Sequence, residues 1–421
     1  MPFDLLFRKA HIIDPSEGLD LVGDVAISSG KIAAVGPSVD AARCPDVREV
    51  SGLFLCPGLI DLHGHWYEAG LYGIDADVGL NHGVTTAVDA GTAGFANFPE
   101  FRRTAMEAAR VNLLAFVHVS CLGLHAPFAE ELLDLRYARP AETAAVIEKH
   151  RDRAVGVKVR IGSMTGTHPS AALDKAIEAA RLADSPLMVH ISASAPEREI
   201  LRRLRPGDIV THCLHGNSNG LLAPGGKGMI PEVAAARDRG IIFDVGHGCG
   251  SFSWESASRA FEDGFLPDTL STDLHRYCVT EPLNVTLPGV MSKFLALGMS
   301  LPEVIVKTTS APARILELEP ARGTLRIGSA ADLFIFDLEE GEFEYLDTNL
   351  DRRKGKHRIM PKMTVRAGVP YLSGSVPARL RDLYECDQAV FDSIGARQGH
   401  RTPPTGCGKA YSGDLMRPPD Y

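Results

Sequence analysis

Two histidines, His63 and His65, stand two positions apart at the end of the apolar segment PGLIDLHGH. That segment predicts a β-strand, and residues two apart in an extended strand point to the same side. Two imidazoles on one side can bind a divalent ion, which lowers the pKa of bound water and so supplies a nucleophile. The pair indicates metal-assisted hydrolysis, although a single histidine in an apolar strand is more often a hydrogen-bonded core residue.

Four more groups of ligand type stand in later apolar segments: Lys158, His190, His212 and Asp273. In a closed parallel barrel the carboxyl ends of the strands form one rim, where catalytic groups collect. Singly, each has another explanation, such as a buried hydrogen bond for a histidine or a helix cap for the aspartate. Those explanations do not account for polar groups that recur at the same end of successive strands, so we predict that all six residues form one metal site.

Lys158 is unusual because the segment VGVKVR places an ammonium in the middle of a β-branched strand, where an unpaired charge is costly. Desolvation lowers the pKa of a lysine, so that a neutral amine becomes available to react with carbon dioxide. The product is a carbamate, whose two oxygens can bridge two metal ions. The alternative is an ion pair between Lys158 and a carboxylate such as Asp89 or Asp273.

The elements that would position these groups are apolar, β-branched runs that alternate with Ala-, Glu- and Arg-rich stretches of helical period. The runs cover residues 58–66, 85–91, 112–120, 154–162, 186–192, 208–214, 240–248 and 268–275. Helices are predicted within 98–111, 140–153, 170–184, 197–205 and 230–240. Eight strands that alternate with helices predict an α/β fold with a (β/α)8 TIM barrel rather than an open doubly wound sheet.

Shorter strand patterns flank the barrel on both sides. We predict a small β-sandwich domain from residues 1–57 and 320–375, a catalytic barrel over 58–319, and a C-terminal tail over 376–421. No GxGxxG motif opens a helix after the first barrel strand, so the fingerprint of a dinucleotide site is lacking.

Composition narrows the class of protein. The 421 residues are 45% hydrophobic and 23% charged, with a net charge of −9, which is typical of a globular protein and unfavourable for binding nucleic acid or an anionic membrane. We expect no signal peptide and no membrane span. The eight cysteines include no CxxC pair, which favours a reducing cytoplasm, and each is expected to be a small buried residue rather than a ligand.

The motifs resemble those of the amidohydrolase superfamily, in the dihydroorotase-like group that uses a carboxylated lysine. The resemblance covers residues 4–375 and rests on PGLIDLHGH, GVTTAVDAG, the strand lysine, the later histidines, STDLH, TSAPARILELE and GSAADLFIFD. It implies two divalent metal ions, with Zn²⁺ expected and manganese, iron or cobalt left open. Its implied ligands are His63 and His65 on the more buried ion, N6-carboxylysine at Lys158 as the bridge, His190 and His212 on the more exposed ion, and Asp273 against a metal-bound hydroxide.

Three residues are candidates for substrate binding. Dihydroorotases usually carry an arginine two residues after the HxH pair, and Tyr67 occupies that position here, which argues against dihydroorotate. Arg160 lies two residues beyond Lys158, on the same face of the strand, and could hold a carboxylate bidentately, or else be a surface arginine at the strand end. His247 follows the seventh run and could donate to the substrate or serve a structural turn.

The segments GDIVTHC, DVGHGCGSF and STDLHRY are similar to a branch of the superfamily that contains deacetylases. That similarity implies a small-molecule acylated substrate, either an N-acyl amino acid or an O-acyl α-hydroxy acid, cleaved by attack of a metal-bridging hydroxide. The alternatives are a cyclic amidase of dihydroorotase or hydantoinase type, and a non-catalytic scaffold relative. Association into a homo-oligomer is left open.

Overall fold

The computed structural model of the chain describes residues 3–42, 44–68, 72–125, 131–162, 168–223, 228–279 and 283–376. The strands are β1 (Leu5–Asp14), β2 (Leu19–Ser28), β3 (Lys31–Gly36), β4 (Val47–Glu49), β5 (Phe54–Pro57), β6 (Leu59–Gly64), β7 (Val84–Gly94), β8 (Asn112–His118), β9 (Ala154–Ile161), β10 (Leu187–Ile191), β11 (Ile209–Thr211), β12 (Ile242–Asp244), β13 (Leu333–Leu346), β14 (Arg352–Arg366) and β15 (Val369–Leu372). The α-helices are α1 (Phe98–Phe101), α2 (Pro140–Lys149), α3 (Pro169–Leu182), α4 (Glu197–Arg203), α5 (Pro231–Asp238), α6 (Trp254–Glu262), α7 (Leu287–Ala296), α8 (Leu301–Thr308) and α9 (Ser310–Ile315).

The strands β6 to β12 form one parallel sheet in chain order, and helices connect most of them. The eighth predicted run is not a regular strand among the described residues. It makes two parallel bridges, Asp244 to Thr269 and Gly64 to Leu274, which link β12 back towards β6. Regular pairing stops because Asp273 has a positive φ of 48°. The predicted α/β barrel class is confirmed, and the irregular segment at 268–275 takes the place of the eighth strand.

The barrel strands form because they are apolar on both faces, as expected where helices cover a parallel sheet. Every residue of β7 is buried. On β8 and β10, Phe116 and Met188 belong to one apolar cluster. Each lies two residues before a histidine, His118 or His190, and so shares its face of the strand. The polar residues of the rim therefore stand on an apolar layer, which limits their movement.

The strands from both chain ends form one hydrogen-bonded mixed sheet in the order β15-β14-β13-β5-β1-β2-β3, with β4 beside β1. The pairing of β5 with β13 joins the two ends, and the next strand after β5 is the first strand of the barrel. The exact boundaries of the two predicted domains stay a prediction. Residues 377–421 of the predicted tail lie outside the described residues. Within the described chain, no helix is both long and apolar enough to cross a membrane.

The turn between β13 and β14 holds a segment of the barrel rim. Asp347 Oδ2 accepts a hydrogen bond of 2.8 Å from the backbone N–H of Trp254. The hydroxyl of Thr348 donates to the carbonyl of Phe252 at 2.7 Å. The mixed sheet formed by the two chain ends thus fixes the segment that follows β12 and leads into α6.

Candidate functional site

Donor atoms of His63, His212 and Asp273 lie within 4.8 Å of one another at the rim. The Nε2 atoms of His63 and His65 are 3.2 Å and 3.1 Å from the same oxygen, Asp273 Oδ1. Burial alone would raise the pKa of Asp273, but in the absence of a metal ion the charge and hydrogen bonds of the protonated forms of these histidines hold the pKa well below its usual range. The carboxylate is therefore ionised at neutral pH.

The other ring nitrogen of His63 is fixed by a relay of hydrogen bonds. The Thr211 hydroxyl donates to Asp244 Oδ2 at 2.7 Å, so it must accept from His63 Nδ1, which lies 2.7 Å away. The proton of a neutral His63 is then on Nδ1, and the Nε2 lone pair points at Asp273. Two acceptor atoms 3.2 Å apart repel unless a cation lies between them. This donor set fits a divalent metal ion, because metal-binding histidines are typically oriented through the other nitrogen.

Two more histidines, His65 and His212, are oriented through Nδ1, and a further contact joins His212 to His190. His65 Nδ1 lies 2.8 Å from the Thr92 hydroxyl, and His212 Nδ1 donates to the carbonyl of Gly246 at 2.7 Å. The Nε2 of His212 is 2.7 Å from His190 Nδ1. Burial lowers the pKa of His65 to about 3, and lowers those of His190 and His212 well below the usual value. These rings are neutral near pH 7, the form that binds metals.

Lys158 is only 1% exposed, and its Nζ lies 3.3 Å from His63 Nε2. Burial lowers its pKa from 10.5 to about 8. Asp89, one of the carboxylates considered as an ion-pair partner, instead accepts hydrogen bonds of 2.7 Å from the backbone N–H groups of Trp66 and Thr92. Among the described residues neither Asp89 nor Asp273 forms a salt bridge with Lys158, although the charge of Asp273 acts on it, and the amine contacts His63.

Gly91 in β7 provides the space for this lysine. Its φ is +83°, and a Cβ at this position would lie 2.7 Å from Cβ and Cγ of Lys158. Both the backbone conformation and the close contact require glycine. The last glycine of the GVTTAVDAG motif is therefore explained by its packing against the buried Lys158.

Asp61 holds the irregular eighth segment in place. Its carboxylate accepts from the backbone N–H and the hydroxyl of Thr272, at 3.0 Å and 2.6 Å. Burial raises the pKa of Asp61 to about 7. The backbone N–H of Asp273 in turn donates to the carbonyl of His63 at 2.6 Å. The catalytic candidate is thus tied directly to the strand that carries the histidine pair.

A cavity of about 170 Å³ opens beside these groups. Its lining residues are His65, Tyr72, Lys158, Arg160, His190, Cys249, Gly250, Ser251, Asp273 and His275. The cavity therefore includes four of the six predicted metal ligands, and one of the three predicted substrate contacts.

That substrate contact is Arg160, whose side chain is 16% exposed. Its guanidinium carbon lies 6.0 Å from the centre of the Tyr72 ring, and its Nε is 3.7 Å from Glu131 Oε2. The other oxygen of Glu131 is 2.8 Å from His118 Nε2. Arg160 therefore lines the cavity rather than the outer surface, and buried neighbours hold its guanidinium.

The structure places Tyr67 and His247 away from the cavity. The Tyr67 ring packs on Phe101, with ring centres 4.6 Å apart, because the chain leaves the strand direction after the histidine pair. His247 Nδ1 donates to the carbonyl of Gly248 at 2.8 Å, and its Nε2 accepts from Lys293 Nζ at 2.7 Å. Their predicted contact with substrate stays a prediction that this geometry does not support.

Sequence reasoning missed Tyr72, Glu131, Cys249 and His275. His275 had a usable signal, since it lies two residues after Asp273 in the same motif. Cys249 was treated as one more buried apolar residue. Tyr72 and Glu131 lie in segments without strand or helix patterning, so nothing local indicated their place beside Arg160.

Comparison with known proteins agrees with this geometry. The amidohydrolase family model matches residues 54–370. A deacetylase of Enterococcus faecalis is 33% identical over 377 residues, which cover 88% of this chain and 100% of that protein. A solved adenine deaminase has a TM-score of 0.81 at 32% identity and covers 88% of this chain and 100% of its own. A solved dihydroorotase has a TM-score of 0.80 at 31% identity, with coverage of 89% and 99%.

A parallel barrel whose rim gathers imidazoles and a carboxylate defines a metal-dependent hydrolase. The chain belongs to the amidohydrolase family. Within that family it is deacetylase-like, as its similarity to the bacterial deacetylase shows.

Proposed function

We propose that the protein is a binuclear deacylase that removes the acyl group of an N-acyl amino acid or an O-acyl α-hydroxy acid. The observation that carries the substrate class is the guanidinium of Arg160, which lines the same cavity as Lys158, His190 and Asp273. A carboxylate on the carbon next to the scissile amide or ester would meet this cation. The deacetylase relative supports the acyl-transfer part of the proposal.

The residues that would hold two divalent ions, with Zn²⁺ expected, are His63, His65, His190, His212, Asp273 and a carboxylated Lys158. When bound, such ions activate a water molecule and polarise the scissile carbonyl. The carbamate forms when the neutral Lys158 amine bonds to the carbon of carbon dioxide and releases one proton. A pKa of about 8 leaves enough neutral amine for this reaction near neutral pH.

Asp273 is the general base and acid. Its ionised carboxylate takes a proton from the attacking water and delivers it to the leaving amine or alkoxide. Oδ1 faces the histidines at 3.1 and 3.2 Å and would be held with them by a metal ion. The neighbouring Gly248 leaves room at the other oxygen, since a Cβ there would lie within 2.4 Å of Oδ2. That second oxygen is the one able to move the proton.

Arg160 binds and orients the substrate through two parallel hydrogen bonds to its carboxylate. Glu131 and Tyr72 hold the guanidinium, so little side-chain entropy is lost on binding. The chain's residues do not distinguish an amide from an ester, because the same attack and the same proton transfer serve both.

The solved dihydroorotase favours a second candidate, a cyclic amidase that opens a dihydroorotate- or hydantoin-like ring. A panel assay of the zinc-loaded full chain separates the two. N-acetyl amino acids, O-acetyl α-hydroxy acids and cyclic imides are compared by kcat/KM. We expect deacylation to exceed ring opening, and to require the free carboxylate. Rapid ring opening without deacylation would replace the proposal by the second candidate.

A further inference from the structure

A second group of ligand atoms lies beside the first. Donor atoms of Cys249, His275 and Cys278 are within 4.8 Å of one another, and Cys249 Sγ is 3.8 Å from His275 Nε2. These three residues share no member with the cluster of His63, His212 and Asp273. Their chemistry also differs, because two thiols and an imidazole favour soft cations, whereas the first cluster has no sulfur.

Local structure explains why these side chains meet. His275 precedes a 3₁₀ turn, Arg276–Cys278, and the backbone N–H of Cys278 donates to the His275 carbonyl at 2.8 Å. This hydrogen bond closes a four-residue turn that brings His275, whose own backbone is extended, close to Cys278. Cys249 reaches them from the turn after β12, where Gly246 and Gly248 both have positive φ.

We propose that Cys249, His275 and Cys278 form a binding site for a thiophilic cation such as Zn²⁺, separate from the hydrolytic metal site. Three protein ligands and one open position are a common arrangement for zinc. Binding releases the two thiol protons to solvent. Coordination through Nε2 of His275 requires the ring proton on Nδ1, so the 3.3 Å contact with the Tyr277 N–H is exchanged for the metal bond.

The position of this cluster gives the ion an effect on catalysis. Cys249 and His275 both line the cavity, and the His275 ring is 5.6 Å from the ring of Tyr72, which packs beside Arg160. An ion held here narrows the part of the cavity that would receive the substrate carboxylate. Excess thiophilic metal therefore inhibits the enzyme. This inhibitory effect rests on the proposed function, whereas binding of the ion does not.

Cd²⁺ is the probe, because cadmium bound to thiolate absorbs in the near ultraviolet and cadmium bound only to imidazole and carboxylate does not. The full chain, supplied with only the two equivalents of zinc that the hydrolytic site requires, is titrated with Cd²⁺. We expect one equivalent of thiolate-to-cadmium absorption, lost in Cys249→Ser and in Cys278→Ser. The control is Cys44→Ser, a partly buried cysteine near β4, which should keep the signal.

The proposed site would be refuted if the wild type showed no thiolate-to-cadmium absorption. It would also be refuted if the Cys249, Cys278 and Cys44 variants all showed equal absorption. Cys249 is only partly buried, so Cys249→Ser tests the idea even if the buried Cys278 variant folds poorly. For inhibition, each protein is compared with its own cadmium-free activity. We expect Cys249→Ser to need at least about tenfold more Cd²⁺ for half inhibition. If Cd²⁺ inhibited the wild type and Cys249→Ser equally, the inhibitory role would be refuted. The cadmium absorption would still test the binding site, and the substrate panel would still test the proposed deacylase.

Discussion

The burial of Lys158 gives a quantitative prediction for carbamate formation in the metal-stripped enzyme. With a pKa of about 8 in place of 10.5, the neutral amine at pH 7 rises from about 0.03% to about 9%, or roughly 300-fold. The neutral, reactive amine increases with pH as the ammonium loses its proton, and because burial disfavours the charged form this is nearly complete above pH 9. Between pH 6 and pH 8 the neutral fraction increases about 50-fold.

The assay supplies ¹³C-labelled carbon dioxide at fixed partial pressure and follows the carbamate carbon by NMR, together with the recovery of activity when zinc is returned. We expect the initial rate to rise about 50-fold from pH 6 to pH 8 and then to level off. Lys158→Ala should show no signal, whereas Lys175→Ala, which removes a partly exposed lysine of α3, should match the wild type. A rate that keeps rising tenfold per pH unit to pH 10, or recovery that needs no carbon dioxide, would refute the reasoning.

Three further substitutions test the site. Asp273→Asn should lower kcat by about 10²- to 10⁴-fold, because it removes the group that carries the proton. Its metal content, measured by elemental analysis, should stay near the wild-type value. A small loss of kcat would mean that Asp273 is not the proton carrier. Arg160→Met should raise KM about 10- to 150-fold for substrates with a free carboxylate and leave KM for their methyl esters little changed. Equal changes in KM for the acids and the methyl esters would mean that Arg160 does not bind the carboxylate. Gly91→Ala should destabilise the fold by about 2 kcal/mol or more and weaken metal binding, since the methyl group meets Lys158 at a positive φ; an unchanged melting temperature would contradict this packing.

The regular part of the barrel was predictable from the sequence. His63, Lys158 and His190 lie on strands whose buried runs fix which side chains share a face, and His65 directly follows the end of β6. Since parallel strands end at one rim, their meeting followed from strand geometry alone. The family class followed from the same motifs.

The irregular part was not predictable in the same way. Tyr67 stands only two residues after His65, but its direction depends on where the strand ends, and its ring packs on Phe101 instead of facing the cavity. Glu131 reaches Arg160 from a segment with no periodic pattern. The eighth predicted run is irregular where Asp273 has a positive φ, and the hydrogen bonds from Thr272 that hold this conformation go to Asp61, which is remote in sequence.

The hold that Asp347 and Thr348 exert on the segment Phe252–Trp254 limits how the protein can be divided. A barrel cut out at residues 58–319 would keep every proposed metal ligand. It would nevertheless lose the hairpin turn that restrains the stretch just beyond Cys249, Gly250 and Ser251, which wall the cavity. The mixed sheet therefore contributes to the structure of the active-site cavity. A chimera that exchanges this sheet must keep the turn that contains Asp347 and Thr348.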